Sequence, residues 1–163
     1  MKAPSKKTYV LGQRSLERLN GVHPDLASVV KRAIELTTQD FSVLEGVRTD
    51  KRQRELYGQG RTAAELRAAG VDPKLAKPSM QKVTWTLKSN HFKQKDGYGH
   101  AVDLVPYPLD WNALAKFDAI ATAMLQAADD IGVTIRWGAD WDQDGNWRER
   151  GESDNPHWEI PLG

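Results

Sequence analysis

Residues 101–105, Ala-Val-Asp-Leu-Val, read as an apolar strand that stops at Pro106, and a carboxylate stands at its centre. Burying an unpaired carboxylate costs several kcal/mol, so any fold that buries this strand must supply Asp103 with a cation or hydrogen-bond donors. A metal ion meets that need, and so do backbone N–H groups; the strand alone does not choose between them. His91 and His100 flank a glycine-containing loop that runs directly into this strand.

The rest of the chain limits which cations are available. Cysteine is absent, so disulfides and thiolate metal sites are excluded, and any metal must be held by His, Asp or Glu. The 163 residues suit one domain, with residues 1–23 as a lead-in segment. A hydrophobic fraction of 39% allows a packed core. With 23 basic and 22 acidic residues the net charge is +1, which argues against a nucleic-acid binder. No apolar window is long enough to cross a membrane. The basic start, MKAPSKKTYVLGQRSLERL, has no apolar core of the kind an export signal needs. The expectation is a protein made in the cytoplasm, which another agent must release if it acts outside.

Patterning predicts an α+β domain with a small antiparallel sheet flanked by helices. Residues 24–37 open on a proline suited to a first helical turn, then place Leu26, Val29, Val30, Ala33 and Ile34 on one face. Residues 41–48 read as a strand, and a helix follows Thr49 or Asp50. Residues 62–69 form a short helix ended by Gly70; from there to Trp85 the chain reads mostly as loop. Asp110 is the expected N-cap of a long helix through Ile131 with Leu114, Phe117, Ala121, Met124, Leu125 and Ala128 at helical spacing. Residues 133–137 and 157–160 are the remaining strands.

A catalytic zinc takes three protein ligands and leaves a position for water. His23, before Pro24 at a helix start, reads as a surface residue. His91 follows Ser89 and Asn90 in the loop, and His157 opens the last strand three residues after Asp154. In order, Ser89-x-His91, Gly99-x-Ala101-x-Asp103 and Asp154-x-x-His157 resemble the zinc peptidases that include D-Ala-D-Ala carboxypeptidases and dipeptidases and the phage L-alanyl-D-glutamate endopeptidases. Their pattern is Ser-x-His-x-x-Gly-x-Ala-x-Asp with a later acidic-x-x-His. Glu45-Gly-Val-Arg48-Thr49, with Gln53 and Gln59-Gly60-Arg61-Thr62 after it, is similar to the family's upstream strand and helix.

The resemblance implies Zn²⁺ on His91, Asp103 and His157, with Asp154 moving the proton of the attacking water. The chain departs from the pattern in the separation of His91 from Asp103, which Phe-Lys-Gln-Lys-Asp-Gly-Tyr lengthens. His91 keeps the Ser-x-His context and is the expected ligand. His100 lies at odd separation from Asp103 and is expected to face solvent or the groove. Arg48 is a candidate for stabilising an oxyanion or gripping a substrate carboxylate, or else pairs with Glu45 or Asp50. Ser89, Gln53 and Trp158 are candidate substrate-side residues, although a loop-capping role suits Ser89 equally.

Asp-x-x-His rather than Glu-x-x-His, with VTWTLKS, DLVPY and RWGADW nearby, points within that resemblance to the phage branch. It implies an endolysin that cuts L-Ala-D-Glu in peptidoglycan stem peptides, acts as a monomer on a Gram-negative host and is held in the cytoplasm until a holin releases it. A D-Ala-D-Ala carboxypeptidase and a non-catalytic zinc module are the alternatives. Asp140, Asp142, Asp144 and Asn146, with Gly145 between the last two, begin like a calcium loop. The twelfth position is Gly151, so a bidentate ligand must come from Glu149 or Glu152, and an acidic surface loop is the other reading. Some phage members of the family are similar here and calcium-regulated, which makes Ca²⁺ a second expected cation.

Overall fold

The structure, a computed structural model, describes residues 8–84, 87–88, 90–149 and 151–161. Helix α2 (Pro24–Leu36) starts on Pro24, and His23 caps it by accepting from the Asp25 N–H through Nδ1. It buries the five apolar residues that the helical spacing selects. Helix α5 (Leu114–Ile131) lies against it and ends at Gly132, whose φ of +81° makes the left-handed turn a helix stop requires. Together with one face of a sheet they enclose the core, from Leu26 and Val30 to Phe117, Ile120 and Met124.

The sheet has order β1-β2-β4-β3 and every pair is antiparallel. Its strands are β1 (Phe41–Glu45), β2 (Ala101–Pro106), β3 (Arg136–Trp137) and β4 (His157–Glu159). Alternation sends Val102 and Leu104 into the core and Asp103 to the opposite face. In β1 a register irregularity between Val43 and Glu45 makes Glu45 the partner of Asp103, so an acid joins Asp103 on its own row. Across the other edge Asp103 pairs with His157. The row Glu45–Asp103–His157 therefore crosses three strands.

Three short α-helices, α1 (Gln13–Arg18), α3 (Asp50–Gly58) and α4 (Ala63–Ala68), and a 3-10 turn at Pro73–Leu75 complete the described fold. Thr49 caps α3, and Thr62 with Glu65 forms a capping box on α4. Part of the expected lead-in belongs to the domain: α1 packs on β1, and Leu19 and Val22 enter the core.

Several boundaries differ from the sequence expectation. Asp110 does not cap α5; it accepts from the Asn112 N–H in a preceding turn, and Trp111 stacks on Phe117 with ring centres 6.1 Å apart. Leu114 and Leu125 of α5 are exposed. The strand expected over 133–137 shrinks to two residues because only Arg136 and Trp137 find partners on β4.

Candidate active site

Three segments bring the expected ligand residues together. His91 sits in a turn beside β2, 2% exposed, where its Nδ1 lies 2.8 Å from the Gly46 carbonyl and its own carbonyl accepts from the Arg48 N–H. That carbonyl can only accept, so Nδ1 carries the proton and Nε2 is left facing Asp103, 3.3 Å from its Oδ1. His157 reaches the same oxygen from β4 with Nδ1, at 3.5 Å. One oxygen from Asp103 and one nitrogen from each ring lie within 4.8 Å of one another. Two imidazoles and a carboxylate converging on one point are the donor set zinc takes in hydrolases, so these residues fit the ion.

The inserted segment after His91 does not displace it. Gln94 and Tyr98 close a small hairpin, with the Gln94 N–H donating to the Tyr98 carbonyl at 2.8 Å, and Lys93 bridges to Gly99. The extra residues are spent within the loop, and the chain returns to β2 with His91 still beside Asp103. His100, expected to face solvent or the groove, is instead buried. It bonds Asp96 of the hairpin at 2.7 Å and meets the His23 ring edge-on. His23 is half-buried rather than on the surface.

Above the triad lies a cleft of about 710 Å³ that Arg48, Lys88, Trp111, Trp141 and Asp154 help to line. Asp154 Oδ2 stands 4.0 Å from His157 Nδ1, near the ligand centre and still half-exposed. Arg48 is engaged on three sides: its guanidinium holds Glu45 through two bonds and Gln53 through a third, and lies 3.7 Å from Asp103. The ion pair with Glu45 is thus formed, and the guanidinium still lines the cleft. Gln53, expected on the substrate side, lies in the wall of the cleft but is fully buried there, and it divides its amide between Arg48 and Thr84. Trp158, expected to wall the site, lies in the core, stacked parallel on Trp137 at 5.2 Å. Adjacent residues on a strand point to opposite faces, so Trp158 must leave the cleft if His157 enters it. Trp141 is the wall instead, with its ring 5.4 Å from that of His157. Ser89 lies outside the described residues.

A model of the family described as phage L-alanyl-D-glutamate peptidase matches residues 7–70 and 74–161. The chain belongs to that family. The L-alanyl-D-glutamate peptidase of Escherichia phage T5 is 31% identical over 159 residues, which cover 94% of this chain and 98% of that protein. The crystal structure of the Serratia marcescens L-Ala D-Glu endopeptidase ChiX superposes with a TM-score of 0.63 at 31% identity, covering 93% of this chain and 90% of that one.

In this peptidase the electrostatics of the cleft follow from crowding. Burial would raise the Asp103 carboxyl, but hydrogen bonds from His157 and His91 outweigh it and hold it far below the usual carboxylate range. Burial lowers His157, yet Asp103 and Glu159 more than compensate, and the ring is pushed up to about 9. Loss of solvation raises Asp154, and the nearby His157 cation only partly opposes it.

Glu159 escaped the sequence reading. It is 3% exposed, and its Oε1 lies 2.7 Å from His157 Nε2. A period-2 reading of the last strand finds it, because two residues on from His157 returns to the same face.

The acidic loop between β3 and β4 gathers its carboxylates into two overlapping groups, Asp140, Asp142 and Asp144, and Asp142, Glu149 and Glu152. Both candidates for the missing bidentate ligand thus approach Asp142, and the buried Glu152 already accepts from the Asp142 N–H. Asn146 is exposed and donates its N–H to Asp144. Lost solvation raises Asp140, and a shared hydrogen bond with Asp144 raises Glu149.

Proposed function

We propose that the chain is a zinc-dependent endopeptidase that cuts the L-Ala–D-Glu bond of peptidoglycan stem peptides and serves a phage in host lysis. The observation that carries this reading is the convergence of His91, Asp103 and His157 at the foot of a cleft, with Asp154 beside them. The T5 and Serratia relatives support the choice of bond. Zinc, when bound, supplies a water of lowered pKa and polarises the scissile carbonyl. Asp154 takes the proton of the attacking water and passes it to the leaving amine; its raised pKa suits a group that must hold that proton between the two events. Arg48, braced by Glu45 and Gln53, presents positive charge to the side of the cleft where the carbonyl oxygen becomes an oxyanion. Trp111 and Trp141 give the stem peptide apolar walls.

Ca²⁺ is the proposed second cation, held by Asp140, Asp142, Asp144 and Glu152 with help from Asn146 or Glu149. The clustering of these carboxylates, which raises Asp140 and Glu149, supports it. The loop continues into the Asp154–His157 turn, so calcium would order the catalytic aspartate. Calorimetric titration of zinc-loaded protein with Ca²⁺ tests this; no heat at millimolar calcium removes it. Acting as a monomer and reaching the wall through a holin complete the proposal.

The main test is mass spectrometry of Gram-negative peptidoglycan after digestion. New L-Ala carboxyl ends and free D-Glu amines, both lost on adding a chelator, are expected. Release of terminal D-Ala alone would make the chain a carboxypeptidase.

A further inference from the structure

His157 has two ring nitrogens, and a metal can use only one. Nδ1 faces Asp103 and Asp154; Nε2 faces Glu159. Glu159 is unusually well held for an acid in a sheet interior. Its Oε2 accepts from Arg136 at 2.6 Å and from the Asn90 amide at 3.0 Å, while Oε1 meets His157 at 2.7 Å. The sheet places each of these groups. Arg136 is the cross-strand partner of Glu159 on β3, and on β2 its partner is the small Ala101, which leaves room for Asn90 to reach over. Asn90 is the residue next to His91. The carboxylate thus touches one metal-ligand segment directly and the other through its neighbour.

We propose that Glu159 is a positioning residue that selects Nδ1 of His157 as the ligand atom and locks the His157 strand to the His91 turn. The inference rests on the metallopeptidase reading above. An ionised carboxylate accepts but cannot donate, so Nε2 must carry the proton and the lone pair of Nδ1 is left for the metal. Arg136 and the Asn90 amide both donate to Oε2, and a guanidinium at 2.6 Å pairs with the ionised carboxylate. Gly46 performs the same selection on His91 with a neutral carbonyl and with the opposite nitrogen. The two histidines therefore bind through different atoms, each chosen by the partner behind it. A charged partner also makes the imidazole a stronger donor, and removing such a partner typically costs about 10- to 100-fold in metal affinity.

The experiment measures Zn²⁺ affinity by chelator competition for the unsubstituted protein, E159A, E159Q and N90A, with circular dichroism to establish folding. Nitrogen-15 spectra of the zinc-loaded protein report which ring nitrogen of His157 keeps its proton. Expected are a proton on Nε2, a loss of about 10- to 100-fold in affinity for E159A, partial rescue in E159Q through the amide oxygen, and a smaller loss in N90A. If E159A does not fold, E159Q and N90A still decide. Affinity within twofold of the unsubstituted protein in the folded variants, or zinc on Nε2, overturns the assignment. An unsubstituted protein that binds no zinc overturns the metallopeptidase reading itself, and this assignment with it.

Discussion

A methyl group at position 138 would press on the carbonyl and Cβ of Asp154. Gly138 also donates its N–H to the His157 carbonyl at 2.8 Å and accepts from the Asp154 N–H at 3.1 Å, so this backbone seats both residues. Gly138→Ala must push the turn off the sheet, and we expect roughly 100-fold lower kcat/KM from a displacement on the order of 1 Å. Stem-peptide hydrolysis by protein of unchanged circular dichroism checks it. Asp154→Ala is expected to lower kcat by about 10² to 10⁴ while zinc content stays the same, because in the proposed mechanism Asp154 moves a proton and is not one of the three proposed ligands. Metal analysis beside a turnover assay distinguishes the two effects, and an active folded variant would remove the proton-transfer role. At this scale the candidate ligands were legible, since His91, Asp103 and His157 sat in a familiar order. The partners behind them were not: Gly46 contributes a carbonyl that every residue has, and only folding brings it to His91.

The three residues of β4 divide between two environments, His157 and Glu159 toward the cleft and Trp158 into the core. Trp158→Ala should therefore behave as a core lesion costing roughly 3–5 kcal/mol, visible as a lowered urea midpoint. A weakened KM at unchanged stability would return Trp158 to the substrate side. Helix α2 was legible because five apolar residues repeat at its period and a proline marks its start. Helix α1 was missed because six residues give too little periodicity to read; it is defined by packing on β1. The irregularity in β1 was equally hidden. Regular alternation would send Glu45 toward the core, and the shift in pairing turns it toward Asp103 and Arg48.

For the whole molecule, the paired charges of the site couple stability to pH. His157 is raised from 6.5 to about 9 in the metal-free protein, so its stabilising contribution is complete below about 6.5 and is lost as pH rises through about 9. Asp103 is depressed, so its contribution is present above its ordinary value of 3.8 and is lost only in stronger acid. Thermal melts of chelator-treated protein should show Tm steady from about pH 5 to 6.5 and falling toward pH 9. A flat profile to pH 9 would mean that the His157–Asp103 pair does not form without metal.

The sequence by itself determined the fold class, the apolar helix faces and which residues are candidates to hold a metal, because hydrophobic period and residue chemistry are local properties. It also made an unpartnered Asp103 untenable, since desolvation penalises a buried carboxylate whatever the fold. Tertiary structure decided which histidine nitrogen faces the ligand centre, which tryptophan lines the cleft, and that the inserted hairpin leaves His91 in place. Those outcomes depend on strand register and on backbone groups from distant segments, and neither is written in any one stretch of residues.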